Sequence, residues 1–318
     1  MLEVVLALAP IFLLIVIGHA MKRWRFVPET FWAPAEKLTY FVTFPALLAH
    51  SLASADLAGL AWEAVASGMT GATLGVAALA VALRGAIGGG PEAFTSAFQG
   101  AVRPNTYVGL AGAASLFGND GVTLTAVCIA AVVPLVNVLA VACICAFVPR
   151  PGKGVIVATL GGVVRNPLVL GCVAGIALNL SGLGAPPVAG DLMRILGAAA
   201  LPVGLLAVGA GLALDALRGT GRPLLASCAL KLVALPLIAL LILGVLAVAG
   251  VAVPPVAVGI VALYAALPCS ASSYVLARQM GGDAPLMANI ITLQTLLAAA
   301  TIPALFVALT ATGLLPPP

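Results

Sequence analysis

Apolar residues along this chain follow neither the strict alternation of a half-buried strand nor a one-sided helical stripe. They come in near-continuous runs of about 20 residues, punctuated by short segments carrying Gly, Pro and charge. A hydrocarbon core takes about 20 helical residues to cross, and an uninterrupted run of that length satisfies its backbone internally only as a helix. The pattern therefore predicts ten transmembrane helices, over 4–21, 36–54, 60–83, 93–117, 121–148, 166–182, 194–213, 223–249, 254–277 and 284–313. The segment 153–164 reads as a cytoplasmic interfacial stretch leading into the sixth run. The expected fold class is an all-α integral membrane protein.

Composition sharpens this picture. The chain is 63% hydrophobic and 8% charged, whereas a soluble domain carries about a quarter charged residues. The net charge of +4 is scattered in short clusters between the runs, which is a membrane-topology pattern and gives no nucleic-acid patch. Glu3 precedes the first run, and Lys22, Arg23 and Arg25 follow it. A signal peptide has the opposite order, so this run is expected to be a retained first helix with its N-terminus outside. The cytoplasmic loops then hold Lys22, Arg23, Arg25, Lys37, Arg84, Arg150, Lys153, Arg165, Arg218, Arg222 and Arg278, against Arg194 alone outside. Arg103 and Lys231 fall inside runs. The asymmetry predicts both termini outside.

The two halves share a spacing skeleton. Pro10 precedes Pro45 by 35 residues, as Pro167 precedes Pro202; Lys37 and Arg194 lie eight residues before Pro45 and Pro202. Pro104 stands 16 residues before Asp120, and Pro268 15 before Asp283, with Tyr107 and Tyr274 following the two prolines. This predicts a duplicated unit, 1–148 and 153–318. Five runs in each half force the second into the membrane inverted, an arrangement frequent in secondary transporters.

Chemistry concentrates where two runs are interrupted. The fourth breaks at Arg103-Pro104-Asn105-Thr106-Tyr107 and the ninth at Pro268-Cys269-Ser270-Ala271-Ser272-Ser273-Tyr274. Proline removes a backbone donor and clashes with the preceding turn. A break at membrane depth is tolerated only where protein or water covers it. Asn105, Thr106, Ser270 and Ser272 are suited to cap the second half-helices, whose N-termini favour an anion. Arg103 can balance a carboxylate or be held in a buried ion pair or helix cap. Asn137 and Gln294, isolated amides in equivalent runs, either line the same site or hydrogen-bond between helices. Lys231 is a second candidate to balance a carboxylate, but it lies only about two turns from a cytoplasmic end and can also snorkel. No carboxylate falls mid-run, so a midplane proton relay or carboxylate sodium cage is not visible.

Cys128, Cys143, Cys145, Cys172, Cys228 and Cys269 all lie in apolar runs and read as small buried hydrophobes. Neither they nor His19 and His50 make a metal-binding spacing. No metal, cofactor or catalytic residue is expected. An intramembrane enzyme would need a nucleophile with a base, a metal pair or paired carboxylates inside the runs.

At Arg103-Pro104-Asn105-Thr106-Tyr107, and from Pro268 to Thr295, including Gly281-Gly282-Asp283 and Ile291-Thr292-Leu293-Gln294-Thr295, the chain resembles the auxin efflux carrier family, specifically its bacterial malonate-transporter-like members. The plant motif begins with Asn where this chain has Arg103, which disfavours an auxin-like substrate and favours a smaller, more highly charged acid. The resemblance implies a scaffold of spans 1, 2, 6 and 7 and a transport domain of spans 3–5 and 8–10, with crossover helices 4 and 9. It also implies an elevator mechanism, a homodimer through the scaffold and a bacterial inner (plasma) membrane. The related sodium–bile acid symporters use acidic ligands at the ninth-span break; only serines stand here, which disfavours sodium. A proton is the coupling ion to test.

The expected function is secondary transport of a small organic anion, a mono- or dicarboxylate such as malonate. Arg103, Asn105, Thr106, Ser270, Ser272, Asn137 and Gln294 are its expected binding residues, at a crossover made by Pro104 and Pro268. A passive anion channel and a sodium-coupled, bile-acid-symporter-like carrier are the alternatives.

Overall fold

The computed structural model describes residues 2–55, 60–148, 161, 165–214, 217 and 221–316. The expected interfacial stretch 153–164, residue 161 apart, and Arg150, Lys153 and Arg218 lie outside the described residues. The described chain is helical, and its only β feature is an isolated antiparallel bridge between Pro104 and Cys269.

Among the described residues, six helices are long and apolar enough to cross a membrane: Glu3–Arg23, Trp62–Ala82, Thr106–Phe147, Pro187–Ala210, Arg222–Val248 and Ala284–Ala311. Two shorter apolar helices, Pro167–Leu180 and Pro255–Ala265, accompany them. Several of the expected runs are assembled from pieces, the fourth and ninth at the breaks expected there. The 36–54 run comprises a helix Trp32–Leu38, a π-turn Thr39–Thr43 and a helix Phe44–Ala53. The 93–117 run is cut after Gly90–Val102, and the 254–277 run after Pro255–Ala265, to resume at Ser272–Met280. The seventh run starts earlier than expected, at Pro187, because proline suits the first helical position after the extended Pro186.

The 42-residue run Thr106–Phe147 would be about 63 Å long if straight, twice the hydrocarbon thickness. It is not straight. Gly118 has φ 58° and ψ −141°, a conformation essentially restricted to glycine. The chain doubles back there, bringing Gly121 against the Ala113 carbonyl: a Cβ at 121 would lie 2.5 Å from that oxygen. This turn separates the expected fourth and fifth runs.

Leu2–Arg23 (α1) packs on Ala200–Ala210, and Phe44–Ala53 packs on Pro167–Leu180 and Pro187–Ala198. Glycines allow backbone contact at these crossings. Gly18 faces the Leu206 carbonyl, Gly209 the Ile15 carbonyl and Gly171 the Pro45 backbone. Trp62–Ala82 packs on Leu235–Val248 and on Thr106–Phe147, with Gly68, Gly71 and Gly75 against Leu243, Ile242 and Ile238. Close approach through small residues is the usual basis of helix association in lipid, where apolar side chains gain little from leaving it.

Five of the cysteines are buried as expected, but Cys145 is exposed. Lys231 does not snorkel. It is 1% exposed, within a π-turn Leu230–Ala234 of the Arg222–Val248 run, because its side chain projects towards neighbouring helices and not to the helix end.

Candidate functional site

The two broken helices cross with their extended segments antiparallel. The Gly90–Val102 helix ends at Arg103, whose extended backbone (φ −87°, ψ 116°) begins the break. Pro104 then pairs with Cys269. The Asn105 N–H donates to the Pro268 carbonyl at 2.8 Å. Each proline thus sits in a segment whose backbone groups find partners on the other segment, which is how unwound chain is satisfied at membrane depth.

Gln294, from Ala284–Ala311, locks the crossing. Its Oε1 accepts from the Cys269 N–H at 2.9 Å. Its Nε2 lies 3.2 Å from the Gly100 carbonyl, the Ser227 carbonyl and Ser227 Oγ. One amide therefore serves an orphan carbonyl of the first broken helix and an orphan N–H of the second. The side chain is 0% exposed.

The downstream half-helices begin differently. Asn105 caps Thr106–Phe147, its Oδ1 accepting from the Tyr107 and Val108 N–H groups at 3.1 and 3.4 Å. The expected serine cap of the other half-helix is absent. The position before Ser272 is Ala271, in helical conformation and with no side-chain cap. Ser270 and Ser272 instead hydrogen-bond each other at 3.0 Å.

Beside the crossing lies a cavity of about 110 Å³, lined in part by Arg103, Pro104, Asn105, Thr106, Asn137, Ser270 and Ser272. A water needs roughly 10–15 Å³ on this measure, so the space holds several waters or a molecule of a few heavy atoms. Of the expected binding residues, Gln294 alone is not on its wall. Lys231 is not there either.

Arg103 dominates the wall. One guanidinium nitrogen donates to Asn137 Oδ1 at 2.7 Å and another to Ser272 Oγ at 3.0 Å. Its buried Nε has no hydrogen-bond partner among the described residues, and no carboxylate there pairs with it within 4.0 Å. Neither an ion pair nor a carbonyl cap accounts for this arginine. It is a cation held in a fork by two neutral groups beside a small cavity, with Glu36 on the same wall but beyond ion-pair distance.

Three polar wall residues were not singled out in the sequence: Glu36, Tyr40 and Asn166. Asn166 caps Pro167–Leu180, accepting from the Leu168 N–H at 2.9 Å, and the Asn-Pro pair is a legible helix start. Glu36 and Tyr40 are four residues apart, so they share a helix face. That spacing was the available signal. Tyr107 also borders the cavity and stacks on Phe44, with ring centroids 4.4 Å apart.

No curated protein matches the chain. Residues 153–306 match the family model described as membrane transport protein. That segment, just under half of the chain, contains the ninth-run break, both serines of the cavity wall and the Gln294 clamp, and over it the chain is similar to membrane transport proteins.

Proposed function

We propose that the protein is a secondary transporter of a small organic anion, a mono- or dicarboxylate of malonate size, bound beside the crossing of the two broken helices. The observation that carries this reading is Arg103. A buried guanidinium without a carboxylate partner is costly in a membrane, and an arriving carboxylate supplies what it lacks. Asn105, Thr106, Asn137, Ser270 and Ser272 add polar contacts around it.

The wall draws on two sets of helices. Arg103, Asn137 and Ser270–Ser272 belong to runs 4, 5 and 9; Glu36, Tyr40, Asn166 and Val208 belong to runs 2, 6 and 7. A site between two sets suits an elevator in which spans 3–5 and 8–10 carry the anion past spans 1, 2, 6 and 7. The two sets would be ten spans in inverted repeats, dimeric through the second set, in an inner membrane with both termini outside. Gln294 serves this reading as the clamp that lets the crossing move as one piece.

The test is uptake of labelled malonate into sodium-free proteoliposomes, with and without an inward proton gradient. Gradient-dependent uptake that excess succinate reduces is expected, and Arg103→Ala should abolish it. Wild-type uptake by a folded Arg103→Ala protein would overturn the reading. Absence of uptake under both conditions would remove malonate.

A further inference from the structure

Among the described residues on the wall of the cavity beside the crossing, Glu36 is the one carboxylate and Arg103 the one cation. They come from different sets of helices, Glu36 from Trp32–Leu38 and Arg103 from the end of Gly90–Val102. They do not pair within 4.0 Å. The Glu36 carboxylate makes no hydrogen bond or ion pair among the described residues, and it lies in electrostatic reach of the Tyr107 phenol on the same wall. Glu36 is exposed where Arg103 is buried, so a proton reaches the carboxylate without disturbing the packing.

The surroundings of Glu36 offer it no counter-ion at close range. Trp32–Leu38 packs against Ala200–Ala210, which carries no charged residue, and against Thr39–Thr43 and Glu29–Phe31. These elements bring Tyr40 and Glu29, and Glu29 lies 3.2 Å from Lys22. Lys37, next on the same helix, and Arg165, beside the wall residue Asn166, form no ion pair with Glu36. Arg103 and Tyr107 complete the titratable groups on that side.

We propose that Glu36 fixes the protonation state in which a dicarboxylate binds: one carboxylate of the substrate meets Arg103, and the second shares a proton with Glu36. This rests on the anion site proposed above and adds to it a residue that reads substrate charge. In a cavity of about 110 Å³ a second carboxylate has little room to keep away from Glu36. Two carboxylates about 5 Å apart, at an effective dielectric of about 20, disfavour joint ionisation more than a hundredfold. One proton held between them removes that repulsion and adds a hydrogen bond, and the pair then titrates as a unit. The proton comes from solution on the side where the dicarboxylate binds, stays with the substrate as a monoanion when it leaves Glu36, and is released on the other side. A monocarboxylate has no second group to protonate and takes up no proton.

Calorimetric titration of the purified full-length protein in buffers of different ionisation enthalpy counts the protons taken up on binding. At about pH 6.5 a free glutamate is ionised; there malonate should take up at least about half a proton per molecule bound and lactate none. Glu36→Gln should bring the malonate count near zero and, at about pH 8, tighten malonate binding about tenfold, with a smaller change for lactate. A malonate count that survives Glu36→Gln, a count near zero in wild type, or lactate binding without malonate binding overturns the proposal and leaves the anion site standing. No binding of either acid, or binding that a folded Arg103→Ala protein retains, removes the site and the proposal with it. Should the Gln variant not fold, wild type alone decides. Its Kd for malonate should rise about threefold to tenfold per pH unit between about pH 6 and 8, as protons become scarcer, while its Kd for lactate stays level. Parallel curves for the two acids overturn the proposal.

Discussion

Arg103 and Gln294 are both buried polar residues at one crossing, and their hydrogen bonds assign them different work. Arg103 divides its guanidinium between Asn137 and Ser272, a fork that an ammonium cannot reproduce. If the fork presents charge to a substrate anion, Arg103→Lys keeps the charge and loses its position. The expected result is a folded protein whose KM for the transported anion rises about tenfold, the effect of roughly 1.4 kcal/mol. Unchanged KM would show that charge alone suffices. Gln294 faces backbone on both of its ends. Gln294→Leu strands a buried N–H and a buried carbonyl, each costing about 1–3 kcal/mol. Gln294→Glu should also destabilise, because an ionised carboxylate cannot donate to the Gly100 and Ser227 carbonyls. Both variants should melt well below wild type in detergent, and wild-type melting of either would remove the clamp. In the sequence the two amides, Asn137 and Gln294, were equivalent: isolated polar groups in long apolar runs. Which one faces a cavity and which faces backbone depends on helix rotation, and apolar runs with no polar stripe do not encode that.

At the level of helices, breaks were legible and lengths were not. Proline and the polar residues after it marked the interruptions at Pro104 and Pro268, because the missing N–H and the steric clash are properties of the residue itself. The π-turns at Thr39–Thr43 and Leu230–Ala234 carry a fainter mark: each is followed two residues later by a proline, Pro45 or Pro236, that the upstream turn must accommodate, with no polar residue after it. The failed serine cap has a similar origin. Ser272 has the right chemistry for a cap, but Ala271 already has helical φ and ψ, so the helix begins one residue too early for Ser272 to serve. Glycine positions turn these geometries into measurements. Gly118→Ala places a Cβ at φ 58° and ψ −141° and should cost about 1–3 kcal/mol. Gly209→Ala should cost at least as much, because its Cβ would collide with the Ile15 carbonyl on the facing helix. Gly85→Ala, with nothing within 4 Å of the new Cβ, should shift stability by no more than about 0.5 kcal/mol. Thermal unfolding of the three variants in one detergent checks the order, and a Gly209→Ala protein as stable as Gly85→Ala would contradict the close crossing of α1 with Ala200–Ala210.

Over the whole molecule, the packing suggests where motion would be allowed. Backbone-to-backbone glycine contacts concentrate where α1 meets Ala200–Ala210 and where Phe44–Ala53 meets Pro167–Leu180. Such contacts resist sliding, because each carbonyl sits where a side chain would otherwise be. Trp62–Ala82 and Leu235–Val248 meet through glycines against the side chains of Leu243, Ile242 and Ile238. Between the two sets, α1 touches Thr106–Phe147 through side chains: Leu8 packs 3.7 Å from the Cβ position of Gly112, and Ser115 Oγ donates to the Ala7 carbonyl at 2.6 Å. Those are contacts that a vertical displacement can exchange for others. On the proposed elevator, they must break in every cycle, while the contacts inside each set persist. This separates the elevator from a fixed pore in one experiment. In a background with the native cysteines replaced, Leu8→Cys/Gly112→Cys is bridged by mercury and compared with Gly68→Cys/Leu243→Cys, a pair inside one set, whose glycine Cβ position lies 3.0 Å from Leu243. Bridging the first pair should stop malonate uptake and reduction should restore it; bridging the second should leave uptake near its starting rate. Uptake that continues through the first bridge would mean the anion crosses without relative movement of the two sets, and the site beside Arg103 would then belong to a passive path.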